Sequence, residues 1–237
     1  MKINKYFPLI FILIVAIESF AAYHENLNEI RRFSKPMVAG SLLIYFLVNR
    51  KTVGNGKGIL VVLALIFSLA GDMLLYNLEK GSGFFISGLL SFLIAHVFYT
   101  IFFFKKDHFK TKAFFPIFGL LMLYAIIFYN LIADHTGEML PYIVIYMGVL
   151  ISLVITLFMR QGNVSNDSFV TALSGGILFM ISDSILAFDL FYMSFSWGTA
   201  VIMITYAGAQ YALVTGAMTE GREVAQMKFN QKLRSDL

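Results

Sequence analysis

The sequence predicts an all-α fold: a polytopic membrane helix bundle with eight transmembrane helices. Three observations lead there. Of 237 residues, 59% are hydrophobic and only 14% charged, against roughly 25% charged in soluble domains. Eight apolar runs reach or approach the roughly 20 residues that cross a bilayer. The basic residues sit in short connections between those runs, where they act as topology signals. The net charge of +4 is therefore not read as a nucleic-acid footprint. Cysteine is absent, which removes disulfides, thiolate nucleophiles and Cys-based metal sites.

The expected spans lie near 6–22, 36–49, 58–76, 83–104, 113–132, 140–159, 169–190 and 196–216. They form a single transmembrane domain over 1–219, followed by a polar, partly unstructured cytoplasmic tail over 220–237. The first run also resembles a cleaved leader, with Lys2, Lys5 and a Ser19-Phe20-Ala21 site. Glu18 interrupts it, and its loss would leave the first half of the bundle short of a helix. It is read as a retained span. The second run is the weakest, because Asn49, Arg50 and Lys51 cut it short; the alternative is a helix that starts earlier, within the amphipathic stretch before Pro36. Between the first two, the segment from Ala21 to Ser34 has the pattern of an interfacial amphipathic helix. Leu27, Ile30 and Phe33 share one side, and Glu25, Glu29 and Arg32 the other. Pro8, Pro36, Pro116 and Pro141 fall near expected helix starts, where the missing N–H costs little.

Orientation follows from Lys and Arg. One side of the membrane receives Lys2, Lys5, Arg50, Lys51, Lys57, Lys105, Lys106, Lys110, Lys112, Arg160, Arg222, Lys228, Lys232 and Arg234. The other receives Arg31, Arg32, Lys35 and Lys80. Both termini are therefore expected in the cytoplasm, which requires an even number of spans. A bacterial inner membrane suits this pattern.

Two stretches carry the chemistry. LFMISDSILA, from Leu178 to Ala187, holds Asp183, and SLAGDMLL, from Ser68 to Leu75, holds Asp72. A carboxylate inside a membrane helix costs roughly 2.5–3.5 kcal/mol on insertion scales, so it marks function by default. Asp72 and Asp183 are 111 residues apart. Pro8 and Pro116, and Pro36 and Pro141, fall at similar intervals. The spacing predicts two parallel four-helix repeats, with the aspartates facing each other across their axis. Glu18 and Lys35 belong to the same, outer half of the bundle, and the cytoplasmic half is expected to hold almost no ionisable group. His96 and Tyr99 share one face of the fourth helix, and Tyr206 and Gln210 one face of the eighth. These six are the candidate supporting or substrate-binding residues around Asp72 and Asp183. Arg31 and Arg32 are placed either to hold a phosphate at the mouth or to lie in a solvated loop. A catalytic zinc wants several histidines, and only His96 lies within a span. No metal or cofactor is expected.

Lys35-Pro36, GDMLL at 71–75, GLLSFLIAHVFYTIFF from Gly88 and GGILFMISDSILAFDLF at 175–191 together resemble the lysoplasmalogenase-like (YhhN) family. The likeness runs from about residue 8 to residue 216, and Glu18 lies outside the motifs. It implies a multi-spanning membrane enzyme that hydrolyses the vinyl ether bond of lysoplasmalogen or a related lysophospholipid. The products would be a fatty aldehyde and a glycerophospho head group. The partners so implied are a lipid substrate and the bilayer, with no nucleic acid. Protonation of a vinyl ether needs an acid that keeps its proton near neutral pH, which two carboxyls sharing one proton supply. Asp183, the deeper residue, is the expected acid, and Asp72 the stabiliser or base. His96 and Tyr99 would orient a carboxylate or bind water, and Lys35 would hold the phosphate or pair with Asp72. The competing reading is a proton-coupled transporter or lipid-binding protein that uses the same carboxylates.

Overall fold

The computed structural model describes residues 3–50, 53, 56–109 and 111–235. Lys2, Lys51 and Lys110, which count toward the charge asymmetry, lie outside the described residues. In hydrocarbon the backbone must satisfy its own polar groups, so long apolar runs fold as helices. Among the described residues there are eight α-helices: α1 (Ile3–Tyr23), α2 (Asn28–Asn49), α3 (Gly58–Tyr76), α4 (Ser82–Phe103), α5 (Thr111–Thr136), α6 (Leu140–Phe158), α7 (Asn166–Phe191) and α8 (Gly198–Ser235). There is no strand among the described residues. Six stretches are long and apolar enough to cross a membrane, and one of them, Lys112–Phe158, contains both α5 and α6. The chain is built as a multi-pass integral membrane protein. α2 is not among those stretches, because Glu29, Arg31, Arg32 and Lys35 occupy its first half.

Two expectations about helix ends are corrected. The amphipathic segment before Pro36 is not a separate surface helix. Its first residues end α1, Glu25–Leu27 make a single 3-10 turn, and from Asn28 it forms the opening turns of α2, the earlier start that the sequence allowed, so Pro36 lies inside that helix rather than at its start. Pro8 and Pro116 likewise fall inside α1 and α5, while Pro141 does sit at the start of α6. Each internal proline removes only its own N–H bond to the preceding turn, and the helices continue through. At the other end, α8 runs on as a helix to Ser235, where a partly unstructured tail was expected.

At the end of the bundle that holds the termini, α8 joins a buried charge cluster. Arg160 is fully buried. Its Nη2 donates to Glu220 at 2.9 Å and to Ser168 Oγ at 2.6 Å, and its guanidinium lies 4.6 Å from the Phe103 ring centroid. Lys105 pairs with Glu220, and Ser165 Oγ donates to Glu223. The expectation that this end holds almost no buried charge is therefore wrong. The loops after α4 and after α6 bring Lys105 and Arg160 onto one carboxylate of α8.

Packing is tightest in the pairs α3–α4 and α7–α8. Small residues allow it. A Cβ at Gly175 would stand 2.9 Å from the Leu213 backbone nitrogen and 3.0 Å from the Ala209 carbonyl oxygen. A Cβ at Gly71 would stand 2.7 Å from the Phe92 ring. Phe46, Leu65, Phe103, Leu157, Phe179 and Leu213 fill the core between the pairs. The neighbours α1–α2, α2–α3 and α3–α4 recur as α5–α6, α6–α7 and α7–α8, and α4–α6 recurs as α8–α2. Two relationships do not recur: α1 packs on α8, whereas α5 makes no comparable contact with α4, and α5 packs on α7, whereas α1 makes no comparable contact with α3. α5 is a peripheral helix resting on α6 and α7.

Candidate active site

The packing of α3 against α4 and of α7 against α8 turns Asp72 and Asp183 into the same interior space. Both line a cavity of about 1070 Å³, at the top of the range usual for small-molecule sites. Asp72 is 2% exposed. The cavity opens at the end of the bundle away from the termini, where Asn28, Arg31, Arg32, Asn77 and Lys80 surround it. Tyr76 closes one corner of that rim by donating to the Asn28 carbonyl at 3.0 Å.

Each carboxylate accepts a hydrogen bond from a tyrosine. Tyr206 Oη donates to Asp72 Oδ2 at 2.8 Å. Tyr146 Oη donates to Asp183 Oδ2 at 2.6 Å. Lys35 lines the same cavity, and Lys35 and Glu18 are the charged groups that act on Asp72. No hydrogen bond joins the two aspartates among the described residues. The site is thus two tyrosine-bound carboxylates around one cavity, with a cation beside one of them.

The remaining candidates stand behind this wall. Tyr99 Oη donates to Gln210 Oε1 at 2.8 Å, and Gln210 Nε2 donates to Tyr206 Oη at 3.4 Å. Tyr99, Gln210 and Tyr206 therefore form one hydrogen-bonded line that ends on Asp72. Tyr206 lines the cavity; Tyr99 and Gln210 do not. His96 is also buried behind the lining, its ring packed edge-on against Phe179 at 4.6 Å and Tyr146 at 5.4 Å. Neither of its nitrogens has a hydrogen-bond partner. Glu18 is fully buried outside the cavity, where it accepts from Arg31 Nε at 3.3 Å and from Ser34 Oγ. Its effect on the site is to fix Arg31, which does reach the mouth.

Tyr146 was not anticipated, nor were Tyr124 and Ser184, which meet at 2.5 Å across α5 and α7. A tyrosine in an apolar helix reads as packing. One signal was nevertheless present: Tyr146 follows Lys35 by 111 residues, the interval from Asp72 to Asp183. Asp189 is a structural group, accepting the Phe195 backbone N–H at 3.1 Å.

Fold and site together define a class: multi-pass helical membrane proteins whose bundle encloses a cavity lined by two inward-facing carboxylates. Within that class the chain belongs to the YhhN family, whose pattern matches residues 30–217. That range holds Lys35, Asp72, His96, Tyr99, Tyr146, Asp183, Tyr206 and Gln210, and leaves Glu18 outside. The chain is similar to a Bos taurus protein named Lysoplasmalogenase TMEM86A, with 28% identity over 170 residues. The match takes in 69% of this chain and 66% of the bovine protein, so the chain spans just under two thirds of that relative's length. No solved structure matches it.

Proposed function

We propose that the protein is a membrane-embedded hydrolase that cleaves the vinyl ether bond of lysoplasmalogen or a related lysophospholipid. The observation that carries this is the placement of Asp72 and Asp183 in one cavity whose mouth bears Arg31, Arg32, Lys35 and Lys80. The cavity offers acid–base groups at depth and cations where a phosphate would lie. Family membership and likeness to a relative named lysoplasmalogenase support the substrate class.

In the proposed reaction Asp183 gives its proton to the distal carbon of the C=C–O unit. The π electrons form the new C–H bond, and the positive charge spreads over the adjacent carbon and the ether oxygen. Asp72 stabilises that cation and takes a proton from the water that attacks it. The hemiacetal so formed collapses, its hydroxyl proton passing to the leaving oxygen, to a fatty aldehyde and the hydroxyl of the glycerophospho head group; Asp72 releases the proton it took and Asp183 regains one, through solvent. Asp183 is assigned the acid because its hydrogen-bond partner is a neutral phenol, Tyr146. Asp72 is assigned the charged role because Lys35 stands near it. This is the division of labour of paired carboxylates in glycoside cleavage.

The proposed topology has eight spans, with the apolar second half of α2 as the eighth. Two related four-helix halves would place both termini in the cytoplasm and the mouth outside, in a bacterial inner membrane. The basic loops and the recurring helix neighbours support it.

A second reading, a proton-coupled transporter or lipid-binding protein, is favoured by the Tyr99–Gln210–Tyr206–Asp72 line, which leads from the cavity into the bundle. Purified protein in detergent separates the two. An enzyme releases aldehyde without any gradient, and Asp183→Asn or Asp72→Asn lowers that release at least about 100-fold, the usual scale for a lost general acid or base. Full activity in either variant overturns the mechanism.

A further inference from the structure

The cavity has a side window. Beyond it, on the outer flank of the bundle, lies an apolar groove of about 440 Å³ lined by Phe128, Ser184, Ile185, Phe188, Phe195 and Trp197, with Met193. Phe128 and Ser184 line both the groove and the carboxylate cavity. They belong to α5 and α7, so the two spaces adjoin where those helices meet. Ser184 follows Asp183 directly, and the window therefore lies at the depth of the proposed acid.

The boundary is lightly held. Tyr124 and Ser184 bridge α5 and α7 with one hydrogen bond at 2.5 Å. α5 rests on α6 and α7 alone among its substantial contacts, and the α1–α8 contact that closes the other flank has no equivalent at α4 and α5. The lipid-facing side of α5 is open: Leu120, Leu123, Ile126 and Ile127 are all more than half exposed.

We propose that this window is where a hydrocarbon chain leaves the cavity. A single-chain lipid would keep its phosphate at the basic mouth and its reactive bond between the carboxylates, and would lay its alkyl chain in the outer groove. The Tyr124–Ser184 bond is the latch of the window. The cavity wall carries Asp72, Asp183, Lys35 and the tyrosines beside its apolar residues, and a long chain lying across those groups would bury their polar atoms unpaired. The groove offers only apolar surface and faces the bilayer, the medium in which an aldehyde chain is soluble. The proposal rests on reading the cavity as a lipid site.

Trp197 is the only tryptophan in the chain, so intrinsic fluorescence reports on the groove directly. The probe is a saturated alkyl-ether lysophospholipid brominated in the distal half of its chain, added to protein in unbrominated nanodiscs. It binds without turnover, since it has no C=C–O unit to protonate. The expected result is saturable quenching that removes more than half the emission at a few equivalents of probe. The unbrominated lysolipid displaces it. Ser184→Phe fills the window and leaves only shallow quenching, linear in probe. Tyr124→Phe, which removes a single oxygen, keeps saturable quenching with an onset several-fold faster. Linear quenching in the unaltered protein, or equal saturable quenching in Ser184→Phe, overturns the proposal. The catalytic reading fails separately: saturable quenching alongside full activity of Asp183→Asn would spare the groove and sink the mechanism.

Discussion

Tyr99 donates a hydrogen bond to Gln210, and the two residues stand 111 positions apart. Asp72 and Asp183, and Lys35 and Tyr146, are separated by the same interval. The contact ties α4 to α8 and continues through Tyr206 to Asp72. Both groups are fully buried. Tyr99→Phe leaves the Gln210 amide short of a partner, which costs about 1–3 kcal/mol. Thermal unfolding in detergent should show a loss of several degrees, and Gln210→Leu in the same background should recover part of it.

The two tyrosines on the carboxylates separate the roles of the aspartates. Tyr146→Phe removes the only side-chain hydrogen bond seen on Asp183, and Tyr206→Phe removes the one on Asp72. Each should lower kcat about tenfold while leaving KM within about twofold, since a bond that orients a reacting group acts in the transition state. A change confined to KM would reassign the tyrosine to substrate binding. Double variants with the matching aspartate should be far from additive.

Lys35 faces both the mouth and Asp72. Lys35→Met should lower kcat/KM by roughly 10- to 100-fold, the scale of about 1.4–2.8 kcal/mol. If the ammonium serves the phosphate, Lys35→Arg restores KM and the loss vanishes for a head-group-free alkenyl glycerol. If it serves Asp72, the loss persists for that substrate.

The buried cluster at the opposite end governs stability rather than chemistry. Glu220→Gln leaves Arg160 and Lys105 without their shared carboxylate. Removing one partner of a buried pair typically costs about 3–5 kcal/mol. The expected readout is a large fall in the unfolding midpoint. Arg160→Met combined with Glu220→Leu should restore much of it, with the activity per folded molecule unchanged.

The apolar helices were legible because hydrocarbon tolerates so few alternatives: an apolar run of sufficient length must become a helix. The start of α2 was legible only as an alternative, since its first turns carry Glu29, Arg31, Arg32 and Lys35, and composition there reports the cavity rim rather than the bilayer. Asp72 and Asp183 stood out by their cost. Tyr146 did not, because a phenol is cheap in an apolar helix until a carboxylate is placed beside it. Glu220 was hidden for another reason. It reads as the first residue of a polar tail, and only the folded chain brings Arg160, 60 residues earlier, to meet it.

That separation has a consequence for how the chain is made. Arg160 is synthesised and must be accommodated while Glu220 has not yet left the ribosome. Until α8 is in place, the guanidinium at the end of α6 has no counter-charge and keeps its own end of the bundle hydrated and loose. The last helix thus acts as the closing step of assembly. A chain released short of Glu220 carries a built-in flaw of the kind that membrane quality control recognises, an unpaired charge where the finished protein is dry.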